Sequence, residues 1–250
     1  MIKDTLLPTL SLSPVYIAAV VAIFGTTISP YLFFWQASQE IEERRSEKRG
    51  AFSTAEMSDK LRHVRNDTAF GMGISCGMAF FIMLATALTL NANGITDIQT
   101  SAQAAEALRP IVGDLAFLLF ALGIVGTGLL AVPVLAASAA YAAADTLKIP
   151  GSLGHKPHEA RGFYAIITVA TLAGVALDFT PIDPIKALYY SAIVNGIVAV
   201  PLMAAIMLAA GSKRLLGPFT ISGKLRSLGW AATAVMTISV IAFFVTLQKA

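Results

Sequence analysis

The sequence is poor in charge and almost devoid of cysteine. Only 13% of its 250 residues are charged, about half of the roughly 25% found in soluble domains. This leaves too few polar side chains to cover a water-soluble globule. A single cysteine, Cys76, excludes a disulfide within one chain. Because Cys76 lies inside an apolar run, we expect it to be a small, buried packing residue.

The features of a nucleic-acid-binding protein or of an enzyme are also missing. The net charge is +3, but the basic residues cluster in short connections between apolar runs, where they set membrane orientation. We therefore expect no nucleic-acid partner. No Ser/His/Asp set and no paired carboxylates occur in the apolar runs, so we predict that the chain is not an enzyme and holds no cofactor. All three histidines fall in predicted loops: His63, His155 and His158.

Long apolar runs dominate what is present. Hydrophobic residues make up 56% of the sequence, and the mean hydropathy is +0.72. The runs are continuous, unlike the alternating strands of a membrane β-barrel, and most are long enough for a helix to cross a bilayer. We predict an all-α integral membrane protein whose 250 residues form a single transmembrane domain in the lipid bilayer. Its six predicted spans are 14–38, 68–90, 113–146, 162–177, 185–210 and 227–247.

The lysine and arginine counts of the connections predict the orientation. Successive connections hold seven, one, three, one and four basic residues. By the positive-inside rule, loops 39–67, 147–161 and 211–226 are cytoplasmic and both chain ends lie outside. An N-terminus outside with no signal sequence is unusual, so we expect that another segment once preceded this one.

The stretch GTTISPYLFFWQ interrupts the first apolar run with polar residues and a proline. Pro30 has no N–H, which frees backbone carbonyls one turn back, around Thr26 and Thr27. With the nearby hydroxyls, these oxygens can replace the hydration shell of a cation. The alternative is a proline kink whose carbonyls are satisfied by Ser and Thr side chains. Asn195 either lines a cavity or hydrogen-bonds a neighbouring helix.

Four stretches resemble a bacterial branch of the NRAMP family of divalent metal transporters. They read VAIFGTTISPYLFFWQASQEIEE, RNDTAFGMGIS, LLFALGIVGTGLLAVPVLAASAAYAAAD and FTPIDPIKALYYSAIVNGIVAVPLM. The resemblance implies a leucine-transporter-like fold of two inverted five-helix repeats, with metal bound where helices 1 and 6 unwind. The six runs are similar to helices 6–11, meaning the second repeat plus one peripheral helix. The resemblance also implies a location in the bacterial inner membrane.

The resemblance assigns roles to residues at the break. Aligning the prolines places Thr26 on an alanine whose carbonyl binds the metal and Ser29 on a methionine whose sulfur does so. An oxygen in place of sulfur favours Mg²⁺, Mn²⁺ or another hard ion, and Ser29→Met is predicted to shift preference toward softer metals. The implied set is Thr26 and Ser29 as metal ligands, Pro30 as the helix break, and Thr27, Tyr31 and Asn195 lining the pathway.

Two departures from the family pattern matter. The Asp-Pro-Gly-x-Asn motif of the first broken helix, which supplies a metal-binding carboxylate, does not occur in this sequence. We therefore expect an incomplete half-transporter for the Mn/Mg/Fe class, working by alternating access. The chain is then truncated, mis-started, or split from a separate chain that carries the first repeat. Leu129 and Leu130 stand where typical members are polar, so proton symport stays open. The alternatives are a non-transporting membrane remnant or scaffold, and an organic-solute transporter sharing the fold.

Overall fold

The computed structural model describes residues 13–46, 54–91, 94, 98, 100–106, 109–177 and 179–248. Every regular element within these ranges is helical, as predicted. The α-helices are α1 (Pro14–Ile28), α2 (Pro30–Ser46), α3 (Thr54–Thr89), α4 (Ser101–Glu106), α5 (Arg109–Val112), α6 (Ala116–Leu147), α7 (Arg161–Leu177), α8 (Pro184–Ala210), α9 (Lys213–Leu216) and α10 (Gly223–Leu247). Two 3₁₀ turns, Gly113–Leu115 and Gly217–Phe219, precede α6 and follow α9.

Five described helical segments are long and apolar enough to cross a membrane, which agrees with an integral membrane protein. They are Pro14–Arg44, Ala55–Thr89, Gly113–Leu147, Pro184–Ala210 and Gly223–Leu247. The remaining apolar helix, α7, has 17 residues, at the lower end of the roughly 17–25 residues that cross a bilayer. The sixth span therefore stays a prediction.

Local sequence signals account for several helix starts. The Ser13 hydroxyl accepts a hydrogen bond from the Tyr16 N–H at 3.3 Å, and Pro14 occupies the first helical position of α1. The Asp183 carboxylate caps α8 in the same way, accepting from the Ile185 N–H at 2.8 Å. These caps satisfy N–H groups that have no partner inside the helix, and proline suits the first turn because its N–H is not needed there.

The described residues fall into two compact units by their contacts. The first comprises those of Met1–Pro30 together with Lys186–Ala250. In it, α1 packs against α8 and α10 through a cluster of small and branched side chains. The buried members are Val21, Ala22, Ile193 and Val240. This packing holds the end of α1, where the predicted site lies, against two other membrane-crossing helices.

The second unit comprises Tyr31–Ile185. Its core joins α6 and α7, which are connected by residues 148–160. The face of α6 is lined by Ala137, Ala140 and Ala144, and Phe163 of α7 is fully buried against it. Small side chains let two helices approach closely where no hydrophobic effect drives them together.

Residues 39–67 were predicted to be a connection that starts as a charged helical extension of the first span. In agreement, α2 continues to Ser46; α3 already begins at Thr54, so much of the connection is helical. One expectation about this unit was wrong. Cys76 is exposed on α3, not buried. No residue in the most apolar window of α3 is buried, as expected for side chains that face lipid.

Candidate functional site

The predicted interruption of the first span lies at Ser29. This residue ends α1 in the left-handed conformation, with φ 44° and ψ 73°. Pro30 is the first residue of α2. A residue before proline is disfavoured in the right-handed helical region, and proline is suited to a helix start. The sequence Ser-Pro thus ends one helix and begins the next at a single residue.

The hydrogen bonds at the break follow from the missing N–H of Pro30. In a continuous helix the N–H of residue 30 would donate to the Thr26 carbonyl. Here the Ser29 hydroxyl donates to that carbonyl at 2.7 Å. The Ser29 N–H still donates to the Gly25 carbonyl at 3.2 Å. The two predicted ligand oxygens, Thr26 O and Ser29 Oγ, are therefore next to each other.

The two threonine hydroxyls at the end of α1 donate within the helix. Thr26 Oγ1 donates to the Ala22 carbonyl at 2.6 Å, and Thr27 Oγ1 to the Ile23 carbonyl at 2.8 Å. Both threonines are exposed, whereas Ser29 is 8% exposed. Each hydroxyl oxygen keeps a lone pair for a further partner, so Thr27 is available to line a polar path.

The oxygens at the break are all neutral. Among the described residues, no group of three or more His, Cys, Asp or Glu side chains is placed to hold a metal ion. Residues 14–39 contain no acidic side chain. Hard cations are bound by oxygen ligands that usually include carboxylates. The break presents carbonyl and hydroxyl oxygens but no negative charge.

A close helix crossing places Asn195 beside α1. A Cβ atom added to Gly25 would overlap the Ala192 carbonyl oxygen and lie 2.5 Å from the Gly196 nitrogen. A Cβ added to Gly196 would lie 2.7 Å from the Val21 carbonyl oxygen. The backbones of α1 and α8 therefore touch one turn before Ser29. Asn195, the neighbour of Gly196, is half-buried and makes no side-chain hydrogen bond within the described part of the chain.

Tyr31 belongs to α2 and to the second unit. Its side chain is half-buried. Its placement in a cation pathway stays a prediction.

In the second unit, a buried tyrosine of α6 holds α2. Tyr141 is 3% exposed, and its hydroxyl donates to Glu42 Oε1 at 2.7 Å. The same hydroxyl accepts from the Leu153 N–H at 3.2 Å. The Tyr141 ring packs edge-on against Trp35 of α2 and Phe163 of α7. We call Tyr141, Glu42 and Leu153 the α2 clamp, because these contacts join α2 to α6 and the connection after it.

Comparison with known proteins assigns the family. A family model described as natural resistance-associated macrophage protein-like (Nramp) matches residues 1–246. The chain belongs to the Nramp family. Nramp proteins are membrane metal-ion transporters and not enzymes, so both of those predictions are confirmed at this level. No curated protein matches the sequence.

Sequence reasoning missed several residues that shape this Nramp chain. Gly25 was treated as part of a polar stretch, and Tyr141 as part of a stretch that carries the family resemblance. A glycine on the helix face of Val21 and Ala22 was the available signal for the crossing, because glycine lets backbones approach closely. No local signal could pair Tyr141 with Glu42, which lies 99 positions away.

Proposed function

We propose that this chain forms half of a binding site for a divalent cation of the Mn/Mg/Fe class, transported by alternating access. One observation carries the proposal: Ser29 Oγ and Thr26 O lie 2.7 Å apart at a left-handed break within a membrane-crossing helix. Non-helical backbone at membrane depth occurs where it lines a cavity or is buried in protein. Broken helices supply backbone carbonyls to cations in secondary transporters.

The spacing of the two oxygens suits a small hard ion. In an octahedral site with metal–oxygen distances of about 2.1 Å, neighbouring ligands are about 3.0 Å apart. Thr26 O and Ser29 Oγ need to separate by about 0.3 Å to reach this distance, and the hydroxyl proton turns away from the carbonyl. The hydrogen bond that is lost contributes about 0.5–1.5 kcal/mol, less than a metal–oxygen contact returns.

The negative charge for this site comes, in our proposal, from outside the 250 residues. Two neutral oxygens bind a divalent ion poorly because it gives up water reluctantly. A carboxylate from another segment or from a separate chain would complete the coordination. Thr27 and Asn195 would then line the path beside the break. Asn195 supports this role because its amide has no hydrogen-bond partner in the described structure.

Alternating access requires a helix that moves, and we propose that this helix is α2, held by the α2 clamp. Because the α-helical hydrogen bonding ends at Ser29 and begins anew at Pro30, α2 can change its angle without unwinding α1. Breaking the Tyr141–Glu42 hydrogen bond would loosen α2 from α6, leaving the Trp35–Tyr141 ring contact. We further propose a location in the bacterial inner membrane. Loops 39–67, 147–161 and 211–226 would be cytoplasmic, and the lysine and arginine counts support this orientation.

The test is metal uptake by the native cell with the substitution at the native locus, so that every natural partner segment is present. Ser29→Ala removes the hydroxyl, and we expect Mn²⁺ uptake to fall by about tenfold, since one ligand is lost. Thr86→Val is the matched control, because the Thr86 hydroxyl also donates within a membrane helix, to the Ile82 and Met83 carbonyls, away from any break.

Three results would contradict the proposal. Mn²⁺ uptake unaffected by Ser29→Ala excludes the hydroxyl as a ligand. If Ser29→Ala lowers the uptake of an organic solute and leaves Mn²⁺ uptake unchanged, the result favours an organic-solute transporter. A cell that shows no uptake dependent on this chain favours the non-transporting scaffold.

A further inference from the structure

The connection between α8 and α10 carries a basic cluster without acidic partners. Residues 211–226 contain four basic residues and no acidic one. All four are exposed, and none forms an ion pair within the described part of the chain. We call Lys213, Arg214, Lys224 and Arg226 the 211–226 basic cluster.

The other predicted cytoplasmic connections differ from this one. Residues 39–67 hold seven basic and seven acidic side chains, and Lys60 pairs with Glu40 at 3.0 Å. Residues 147–161 hold three basic residues together with Glu159. The unbalanced positive charge is thus concentrated in the 211–226 basic cluster.

The cluster lies where two membrane-crossing helices end on the same side. The Ile221 N–H donates to the Ala210 carbonyl, the last residue of α8, at 3.2 Å. The Arg226 guanidinium lies against Gly211, since its Nε and Cζ are 3.6 Å from the position of a Cβ there. These contacts fold the connection back onto the end of α8, next to the membrane-crossing segment Pro184–Ala210.

Exposed apolar side chains accompany the cations. Leu215 is 69% exposed and Leu216 is 40% exposed, directly after Lys213 and Arg214. Basic residues next to exposed leucines are typical of segments that lie in the membrane interface, with the apolar groups in the acyl region and the cations among the phosphates.

Helix stability does not account for the charges. Lys224 and Arg226 occupy the first turn of α10, which has no acidic residue. Cations are disfavoured there by the positive end of the helix dipole. The positive-inside rule explains on which side they lie, but it requires no ligand.

We propose that the 211–226 basic cluster binds the headgroups of anionic phospholipids in the adjoining leaflet. The four cations complement the phosphate charge, and Leu215 and Leu216 anchor the segment beside the acyl chains. Each basic residue near an anionic membrane surface strengthens binding by roughly fivefold. This interaction does not depend on the cation site at Ser29.

The test titrates the delipidated, detergent-solubilised full chain with phosphatidylglycerol or phosphatidylcholine and follows its melting temperature. We expect phosphatidylglycerol to bind at least tenfold more tightly than phosphatidylcholine, and the preference to vanish at about 1 M salt. The triple variant Lys213→Gln, Arg214→Gln, Lys224→Gln is expected to lose at least tenfold in phosphatidylglycerol affinity. It keeps Arg226, which packs on Gly211.

A matched control removes three cations elsewhere: Lys148→Gln, Lys156→Gln, Arg161→Gln. We expect it to keep the phosphatidylglycerol affinity within about twofold. The double variant Lys213→Arg, Lys224→Arg retains the charge and must also keep this affinity. If the triple variant does not fold, the double variant Lys213→Gln, Arg214→Gln replaces it as the charge-removing variant. Equal affinity for the two lipids, equal losses in test and control variants, or full competition by inorganic phosphate at the same concentration would each overturn the proposal.

Discussion

The Gly25–Gly196 crossing holds the end of α1 against α8, and a single methyl group tests it. Gly25→Ala places a Cβ where the Ala192 carbonyl oxygen already lies, with the Gly196 nitrogen at 2.5 Å and the Gly196 Cα at 2.9 Å. These neighbours are backbone atoms, so no side-chain rotation can relieve the overlap. The two helices must move apart.

The size of the effect follows from that movement. To return the methyl-to-nitrogen distance to about 3.5 Å, α1 and α8 must separate by about 1 Å. A gap of this size forfeits a quarter to a half of the dispersion energy of the atoms along the crossing. Overpacking of this kind typically destabilises by about 1–3 kcal/mol. We expect about 2–3 kcal/mol here, because backbone atoms are involved.

The assay is unfolding in mixed micelles by increasing SDS, followed by tryptophan fluorescence. Gly126→Ala is the control, since a Cβ at Gly126 meets nothing within 4 Å. We expect the free energy of unfolding of Gly126→Ala to stay within about 1 kcal/mol of the wild type. Any change should be an increase, because alanine has a higher helix propensity than glycine. If Gly25→Ala and Gly126→Ala are equally stable, the close crossing does not exist.

Four further substitutions have distinct expected outcomes. Pro30→Ala supplies the missing N–H, so α1 and α2 are expected to join, raising unfolding free energy while metal uptake falls; unchanged uptake would argue against the break. Asn195→Leu should leave unfolding free energy unchanged or higher, whereas a loss of about 0.6–2 kcal/mol would show a helix–helix hydrogen bond instead. Tyr141→Phe leaves Glu42 and a backbone N–H unpaired and should cost about 1–3 kcal/mol. Glu42→Gln keeps an acceptor and should lose less than about 1 kcal/mol, so equal losses would speak against the α2 clamp.

The break could be predicted from the sequence because its cause is local. Pro30 lacks an N–H, and the carbonyl it leaves free is always the one four residues earlier, here Thr26. The left-handed conformation of Ser29 was harder to anticipate, because a proline kink within one continuous helix satisfies the same pattern. The hydroxyl-to-carbonyl bond between Ser29 and Thr26 depends on that choice.

The contacts between distant helices could not be predicted. Apolar runs show that a helix lies in the membrane, but they carry little record of which face meets which partner. Gly25 with Gly196 and Glu42 with Tyr141 are both pairs of this kind. The early start of α3 was missed for a related reason: the charged residues of 54–67 lower the hydropathy without ending the helix.

The selectivity of metal uptake tests the central claim most directly. Ser29 is buried and left-handed, so Ser29→Cys exchanges oxygen for sulfur with little change in volume, and Ser29→Ala removes the ligand. If Ser29 Oγ binds the cation, the ratio of Cd²⁺ to Mn²⁺ uptake in the native cell rises on the order of tenfold in Ser29→Cys, equivalent to about 1.4 kcal/mol. A Cd²⁺/Mn²⁺ ratio that is the same in wild type, Ser29→Cys and Ser29→Ala would contradict the account.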